Sequence, residues 1–162
     1  MEKRGKKFLL IKKGGKMRRG FTLLELLTVV IIIAILAAIA IPQFFRAAER
    51  ARASEGVHVL GIIRSAQLRY YAEHGFFTDK IEHLDIDVPT ATLKYFGTPT
   101  LNKSATYMGS GDEDLVSIKR NNVQCGSYCG YTLKIGDDTG KVICSKGGGA
   151  TNQCPPGFDS SY

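Results

Sequence analysis

The chain has 162 residues and a formal net charge of +7, which suits one modest domain with appendages. Residues 1–20 hold nine of the 22 Lys and Arg side chains but only one of the 15 Asp and Glu side chains. This segment therefore carries +8 and the rest of the chain −1, which argues against a basic nucleic-acid surface on the folded part. A basic arm ahead of an apolar segment is typical of the cytoplasmic flank of a membrane span.

A long apolar run follows this arm directly. Phe21 to Ile41 is 21 residues, or about 31 Å as a helix at ~1.5 Å per residue, enough to cross a hydrocarbon core of ~30 Å. From Leu26 onward the run has no charge, and Thr28 is its only polar side chain. Four alanines would let neighbouring helices approach closely: Ala34, Ala37, Ala38 and Ala40.

The junction between the two segments has a specific pattern. It reads Gly20-Phe21-Thr22-Leu23-Leu24-Glu25, and the apolar run ends Ala38-Ile39-Ala40-Ile41-Pro42-Gln43. This pattern resembles the N-terminus of type IV pilins, of the type IVa kind, and of the related pseudopilins of type II secretion. The resemblance covers residues 18–45, and a similar helix continues to about Gly75. The C-terminal part has no comparably specific match.

The resemblance implies a role for each junction residue. A prepilin peptidase would cut between Gly20 and Phe21, and Phe21 would then be N-methylated. Glu25 would be needed for assembly, and Pro42 would mark a helix bend. Residues 1–20 would be a leader that is removed, unlike a secretory signal peptide, which is cut after its apolar region. The sequence leaves open whether translation starts at Met1 or at Met17.

Glu25 has two compatible interpretations. A lone carboxylate in hydrocarbon costs on the order of 2–3 kcal/mol, so it persists where it finds a partner, and the amine freed at Phe21 is such a partner. Thr22 and Glu25 also have the spacing of a helix capping box, and Glu in a first helical turn suits the helix dipole. A cap alone does not require the long apolar run that follows.

The helix is predicted to run from about residue 21 to 74. Pro42 removes one backbone donor and crowds the carbonyl four residues back, which predicts a bend. The second half is amphipathic, with a face that packs on a globular head, and Gly75 is the expected C-terminal cap. Charged residues after the apolar run are interpreted as lying at the water interface: Arg46, Glu49, Arg50, Arg52 and Glu55. Gly56 and Gly61 indicate either flexible points or close packing.

Residues 76–162 predict a small antiparallel sheet of three or four strands, so the fold class is α+β with the ladle-like form of pilins. A short helical turn is expected near Lys80–Leu84. Weak strand signals lie at Leu93–Phe96 and Ala105–Met108, a stronger one at Leu115–Arg120, and a hairpin at Tyr131–Ile135 and Lys141–Cys144. The acidic turn at Asp112, Glu113 and Asp114 is interpreted as a solvated loop rather than a Ca²⁺ site.

All four cysteines lie in the last quarter of the chain: Cys125, Cys129, Cys144 and Cys154. An even number in a loop-rich, exported region predicts two disulfides, and their spacing matches no zinc ribbon. Of the three possible connectivities, the hairpin favours Cys129 with Cys144 and Cys125 with Cys154.

No catalytic, metal or cofactor site is predicted. His58, His74 and His83 have the spacing of neither a zinc helix nor a triad, and no nucleotide-binding motif is present. The aromatic residues Tyr70, Tyr71, Phe76 and Phe77 are interpreted as core packing or subunit contacts.

The expected function is that of a structural filament subunit and not an enzyme. Its segments would be the leader 1–20, a membrane and filament-core helix half 21–45, an amphipathic half 46–75 and the head 76–162. The prepilin would cross the inner membrane once and then join an extracellular pilus. Its partners would be further copies, other pilins, the prepilin peptidase and methyltransferase, the assembly platform with its ATPase, and membrane lipid before assembly, but no nucleic acid.

Two alternatives stay open. The first is a type II secretion pseudopilin, which would form a periplasmic pseudopilus. Major pseudopilins usually have a calcium-binding loop and lack a Cys-rich tail, so the cysteines favour a pilus subunit. The second is an anchored head that never polymerises, which would not need cleavage before its apolar segment.

Overall fold

The computed structural model describes residues 20–88, 93–102, 113–147 and 153–159. Its first element is the helix α1, Leu23–His74, which continues through Pro42 without interruption. The predicted extent of this helix is therefore confirmed to within two residues, while the bend at Pro42 stays a prediction. The chain divides into two compact units, one ending at Ile39 and the other running from Ala40 to Tyr162.

The end of α1 follows the predicted cap. Gly75 has φ +79°, and its N–H donates to the Tyr71 carbonyl at 2.8 Å. Glycine reaches this left-handed conformation without steric cost, so the helix ends here. A short 3₁₀ turn, Ile81–His83, follows where a helical turn was expected.

Among the described residues, the second unit has a sheet of four antiparallel strands in sequence order. They are β1 Thr100–Leu101, β2 Asp114–Lys119, β3 Thr132–Gly136 and β4 Val142–Ser145. The strands predicted from the strongest sequence signals correspond to β2 and to the β3–β4 hairpin. The strand expected at Leu93–Phe96 is wrong, because this segment forms only an isolated bridge between Phe96 and Arg120. Ala105–Met108 and Asp112 lie outside the described residues.

The core lies between the sheet and the second half of α1. Buried helix residues recur every three or four positions, as in Ala53, Gly56 and Leu60, and apolar ones pack with strand residues such as Leu115 and Leu133. This spacing is that of one helix face. The prediction that the amphipathic half of α1 packs on the head is confirmed.

The two glycines of this half differ in their surroundings. A Cβ placed on Gly56 would lie 2.9 Å from the Phe96 ring and 3.1 Å from Leu133 Cδ1, whereas a Cβ on Gly61 would meet nothing within 4 Å. Gly56 therefore allows the helix to approach the sheet closely, and Gly61 has no such role.

The predicted disulfide pairing is wrong, although two disulfides are present. Cys125 bonds to Cys129 and Cys144 to Cys154, with Cα–Cα distances of 5.0 and 5.9 Å. The first pair closes a turn. The second forms because the C-terminal segment returns along β4, where the Cys144 N–H donates to the Asp159 carbonyl at 2.8 Å. This return brings Cys154 rather than Cys129 to the β4 cysteine.

Candidate functional site

The segment that begins at Gly20 starts with exposed, non-helical backbone. Gly20 is exposed, and a Cβ there would meet nothing within 4 Å. Phe21 is 79% exposed and precedes the first helical residue, Leu23. The Gly20–Phe21 bond thus lies in non-helical, accessible backbone, which is the form of chain that a peptidase can bind in an extended conformation.

Half of the predicted capping box is present. Thr22 Oγ1 accepts a hydrogen bond from the Glu25 N–H at 3.2 Å, and the Thr22 carbonyl accepts one from Leu26. This satisfies one of the N–H groups that a helix start leaves without a partner. Within the part of the chain described from residue 20, the Glu25 carboxylate itself accepts no hydrogen bond. It remains available for a partner outside its own helical turn.

The apolar run is exposed along its whole length. Its large side chains from Phe21 to Phe45 are between 44 and 84% exposed. Among the described residues, α1 is the one helix long and apolar enough to cross a membrane. Exposed apolar surface of this extent marks a membrane or protein contact, because it is unfavourable in water.

A buried polar cluster that the sequence did not reveal lies in the second unit. Glu49 is 1% exposed, although it was predicted to lie at the water interface. Its carboxylate accepts from Arg120 Nε at 2.7 Å and from the Tyr131 hydroxyl at 3.1 Å. Arg52 NH1 also donates to Glu49, at 3.2 Å. The earlier interpretation of Glu49 is therefore wrong: this carboxylate joins α1 to Arg120, which directly follows β2, and to Tyr131, which directly precedes β3.

The surroundings of this cluster satisfy its charges. The Arg120 guanidinium also donates to the carbonyls of Tyr95, Asn121 and Val123 at 2.9–3.0 Å. Burial, together with the nearby Glu49 carboxylate, raises the pKa of Tyr131 well above its ordinary value. The phenol therefore stays protonated and donates its hydrogen bond to Glu49.

The one sequence signal for this burial was the position of Glu49 on α1. It lies four residues before Ala53, on the same helix face as Gly56 and Leu60. Its partner Arg120 is 71 residues further along the chain.

The three histidines have ordinary surroundings. His58 is exposed, His74 Nδ1 lies 3.1 Å from the Tyr70 carbonyl, and His83 Nδ1 lies 3.0 Å from Thr78 Oγ1. In the ranges that the structure describes, no group of three or more His, Cys, Asp or Glu residues is placed to hold a metal ion.

The fold and the N-terminal segment together define a class of protein. It has one long helix whose exposed apolar half can enter a membrane, and a small disulfide-bonded α+β head built on the other half. Residues 15–41 match the model of the prokaryotic N-terminal methylation motif.

Similar proteins support the same assignment. The chain is 29% identical to the type IV major pilin protein PilE1 of Neisseria gonorrhoeae over 134 residues, covering 75% of this chain and 81% of that protein. It is 46% identical to the type IV major pilin protein PilA of Myxococcus xanthus over 61 residues, 38% of this chain and 28% of that protein. A fimbrial protein of Neisseria meningitidis is 41% identical over 59 residues, 36% of this chain and 35% of that protein. The chain is thus similar to type IV major pilins, and its residues 15–41 match the N-terminal methylation motif.

Proposed function

We propose that the chain is made as a membrane-resident prepilin, is cut after Gly20, is N-methylated at Phe21, and polymerises through α1 into a pilus filament. The observation that carries this proposal is the junction itself. An accessible Gly20–Phe21 bond precedes a capped helix start, a carboxylate and an exposed apolar run, all within the matched methylation motif.

Cleavage at this bond would create a partner for Glu25. The new amine at Phe21 carries a positive charge, and a carboxylate in apolar surroundings is stabilised by an opposite charge at close range. In a filament the two groups can belong to neighbouring subunits. Their pairing would fix the axial position of one helix against the next, whereas apolar contacts alone allow sliding.

The exposed apolar half of α1 suits two successive environments. The apolar half would lie in the inner membrane before assembly and among the helices of other subunits afterwards. Repeated identical contacts between non-equivalent surfaces produce an open helical polymer. The transient partners would be the peptidase and methyltransferase and an assembly platform with its ATPase. The functional segments would be residues 1–20, 21–45, 46–75 and 76–162.

The test is the N-terminus of the assembled material. Filaments sheared from cells and analysed by mass spectrometry should contain a chain that begins with N-methylated Phe21. Assembled subunits that retain Gly20 would contradict the proposal. The same cells should show extracellular fibres by electron microscopy, and a chain found only in periplasmic secretion complexes would indicate a pseudopilin.

A variant separates the role of Glu25 from processing. Glu25→Ala should be cut normally but should enter filaments poorly, because the Phe21 amine then has no carboxylate to bind. Glu73→Ala is the matched control, since Glu73 is an exposed carboxylate near the other end of α1. Normal piliation of the Glu25 variant would contradict the proposed pairing.

A further inference from the structure

A cavity of about 540 Å³ lies where the apolar run of α1 ends. One wall consists of α1 residues Pro42, Phe45, Arg46 and Arg52, and the other of the turn at residues 124–128. Pro42 is the residue that follows Ile41, the last of the apolar run. The cavity therefore belongs to the part of the chain that comes directly after the predicted membrane span.

The charges around this cavity are not balanced. Glu49 is its one acidic lining residue, and that carboxylate is shared by the guanidinium groups of Arg52 and Arg120. Arg120 is buried and does not line the cavity, so the lining itself has the two positive charges of Arg46 and Arg52 against the one carboxylate of Glu49. Arg46 is exposed and forms no ion pair within the described ranges. The lining has an excess of positive charge that suits an anion.

The remaining lining has the mixed character of a headgroup site. Phe45 is 60% exposed and offers an apolar surface, while Ser127, Tyr128 and Gln153 supply hydroxyl and amide groups. Binding sites for small molecules have volumes of about 300–1,000 Å³ and combine apolar walls with a few polar groups. Basic pockets next to membrane spans bind the headgroups of anionic lipids.

We propose that this cavity binds the phosphate of an anionic phospholipid headgroup while the chain resides in the membrane. Arg46 is the main contact, Arg52 contributes the charge that Glu49 does not neutralise, and Phe45 lies against the glycerol and upper acyl chain. The site would hold the head at the membrane surface before assembly. This inference rests on the proposed membrane-resident state, although it needs neither cleavage at Gly20 nor polymerisation.

The experiment uses the full chain in nanodiscs of equal parts phosphatidylglycerol and phosphatidylcholine. Native mass spectrometry of the released protein measures how much of each lipid stays bound. Phosphatidylglycerol should be retained in preference to phosphatidylcholine. Arg46→Gln should reduce that preference about tenfold, the loss expected for one charge-assisted hydrogen bond.

Arg50→Gln is the matched control. Arg50 is another exposed arginine, four residues further along α1. It does not line the cavity but a second hollow, which Arg46 also borders. The Arg50→Gln substitution removes the same charge as Arg46→Gln. If the cavity is the site, Arg50→Gln should change the lipid preference by less than about twofold. A second variant, Ser127→Trp, should lower phosphatidylglycerol retention by filling the cavity without a change of charge.

Three outcomes would overturn the inference. Equal effects of Arg46→Gln and Arg50→Gln would mean a general attraction to an anionic surface. Equal retention of both lipids would mean no site. Release as protein dimers without lipid would mean that a second copy occupies the cavity. A chain that fails to enter nanodiscs at all would contradict the membrane-resident state itself, and so is distinguishable from loss of lipid preference alone.

Discussion

The carboxylate of Glu49 is buried among groups that all donate to it. Such a cluster is stabilising only while it is complete, because a charge left without its partner in the protein interior is strongly unfavourable. Arg120 is the partner with the most contacts, and its side chain is also buried. The cluster is therefore the most sensitive polar point of the head.

We expect Arg120→Met to lower the free energy of unfolding by about 3–5 kcal/mol, since it leaves Glu49 with one partly exposed arginine and a phenol. Urea denaturation of the detergent-solubilised chain measures the change. Arg69→Met is the control, because Arg69 pairs with Asp85 on the surface and its loss should leave the transition nearly unchanged. Combining Arg120→Met with Glu49→Leu should restore part of the lost stability, and a double variant less stable than Arg120→Met would contradict this account.

Tyr131 makes stability depend on alkaline pH. Burial and then Glu49 raise the pKa of its phenol in the folded state above the ordinary value of 10.0. In the unfolded chain the phenol loses its proton near pH 10, whereas in the folded chain it keeps it. The unfolded state then binds fewer protons, so this contribution to stability is complete below pH 10 and is lost as the pH rises above it.

The expected slope from this one group is about 1.4 kcal/mol per pH unit above pH 10. Tyr131→Phe should remove it, so the free energies of unfolding of parent and variant should converge between pH 10 and 12 but run parallel between pH 7 and 9. Urea denaturation at several pH values measures the free energies of unfolding in both pH ranges. A constant difference across the whole range would show that Tyr131 has no raised pKa.

At the scale of elements, the two glycines of α1 offer a direct comparison. Both weaken a helix by roughly 1 kcal/mol relative to Ala, but only Gly56 lies against the Phe96 ring and Leu133. We expect Gly61→Ala to raise the free energy of unfolding by about 1 kcal/mol and Gly56→Ala to lower it by about 1–3 kcal/mol through overpacking. Chemical denaturation measures the free energy of unfolding of each single variant. If both substitutions are stabilising, the sheet accommodates the methyl group added at Gly56.

Local patterns predicted the elements well. Apolar spacing gave the extent of α1, Gly75 marked its end, and alternation with a five-residue loop located the β3–β4 hairpin. These features depend on residues close together in the sequence, so a periodicity argument can reach them. The roles predicted for the junction at Gly20–Glu25 rest instead on its resemblance to type IV pilins.

The errors concern contacts between distant residues. Glu49 was placed in water because its neighbours on α1 are charged, and its burial depends on Arg120 and Tyr131, which flank β2 and β3. The disulfide pairing depends on the path of the C-terminal segment beside β4, which no local pattern specifies. The cavity beside Arg46 likewise exists only because a turn 80 residues away folds against α1.

At the scale of the whole molecule, charge and apolar surface are divided along the chain. The first 20 residues hold all of the excess positive charge, and the large apolar side chains of residues 21–45 are all exposed. The buried core begins later, with Glu49 and Ala53, and draws on α1 only beyond that point. Solubility and stability should therefore be separable properties of different segments.

We expect a fragment that begins at Arg46 to be soluble and monomeric without detergent, because it lacks the exposed apolar run but keeps every residue of the core. Its two disulfides should form, and its urea midpoint should match that of the full chain in detergent, since no core residue has been removed. Size-exclusion chromatography and denaturation followed by circular dichroism measure these properties.

The full chain without detergent is the control and should aggregate. A fragment that aggregates or unfolds at a clearly lower urea concentration would mean that residues before Arg46 stabilise the head.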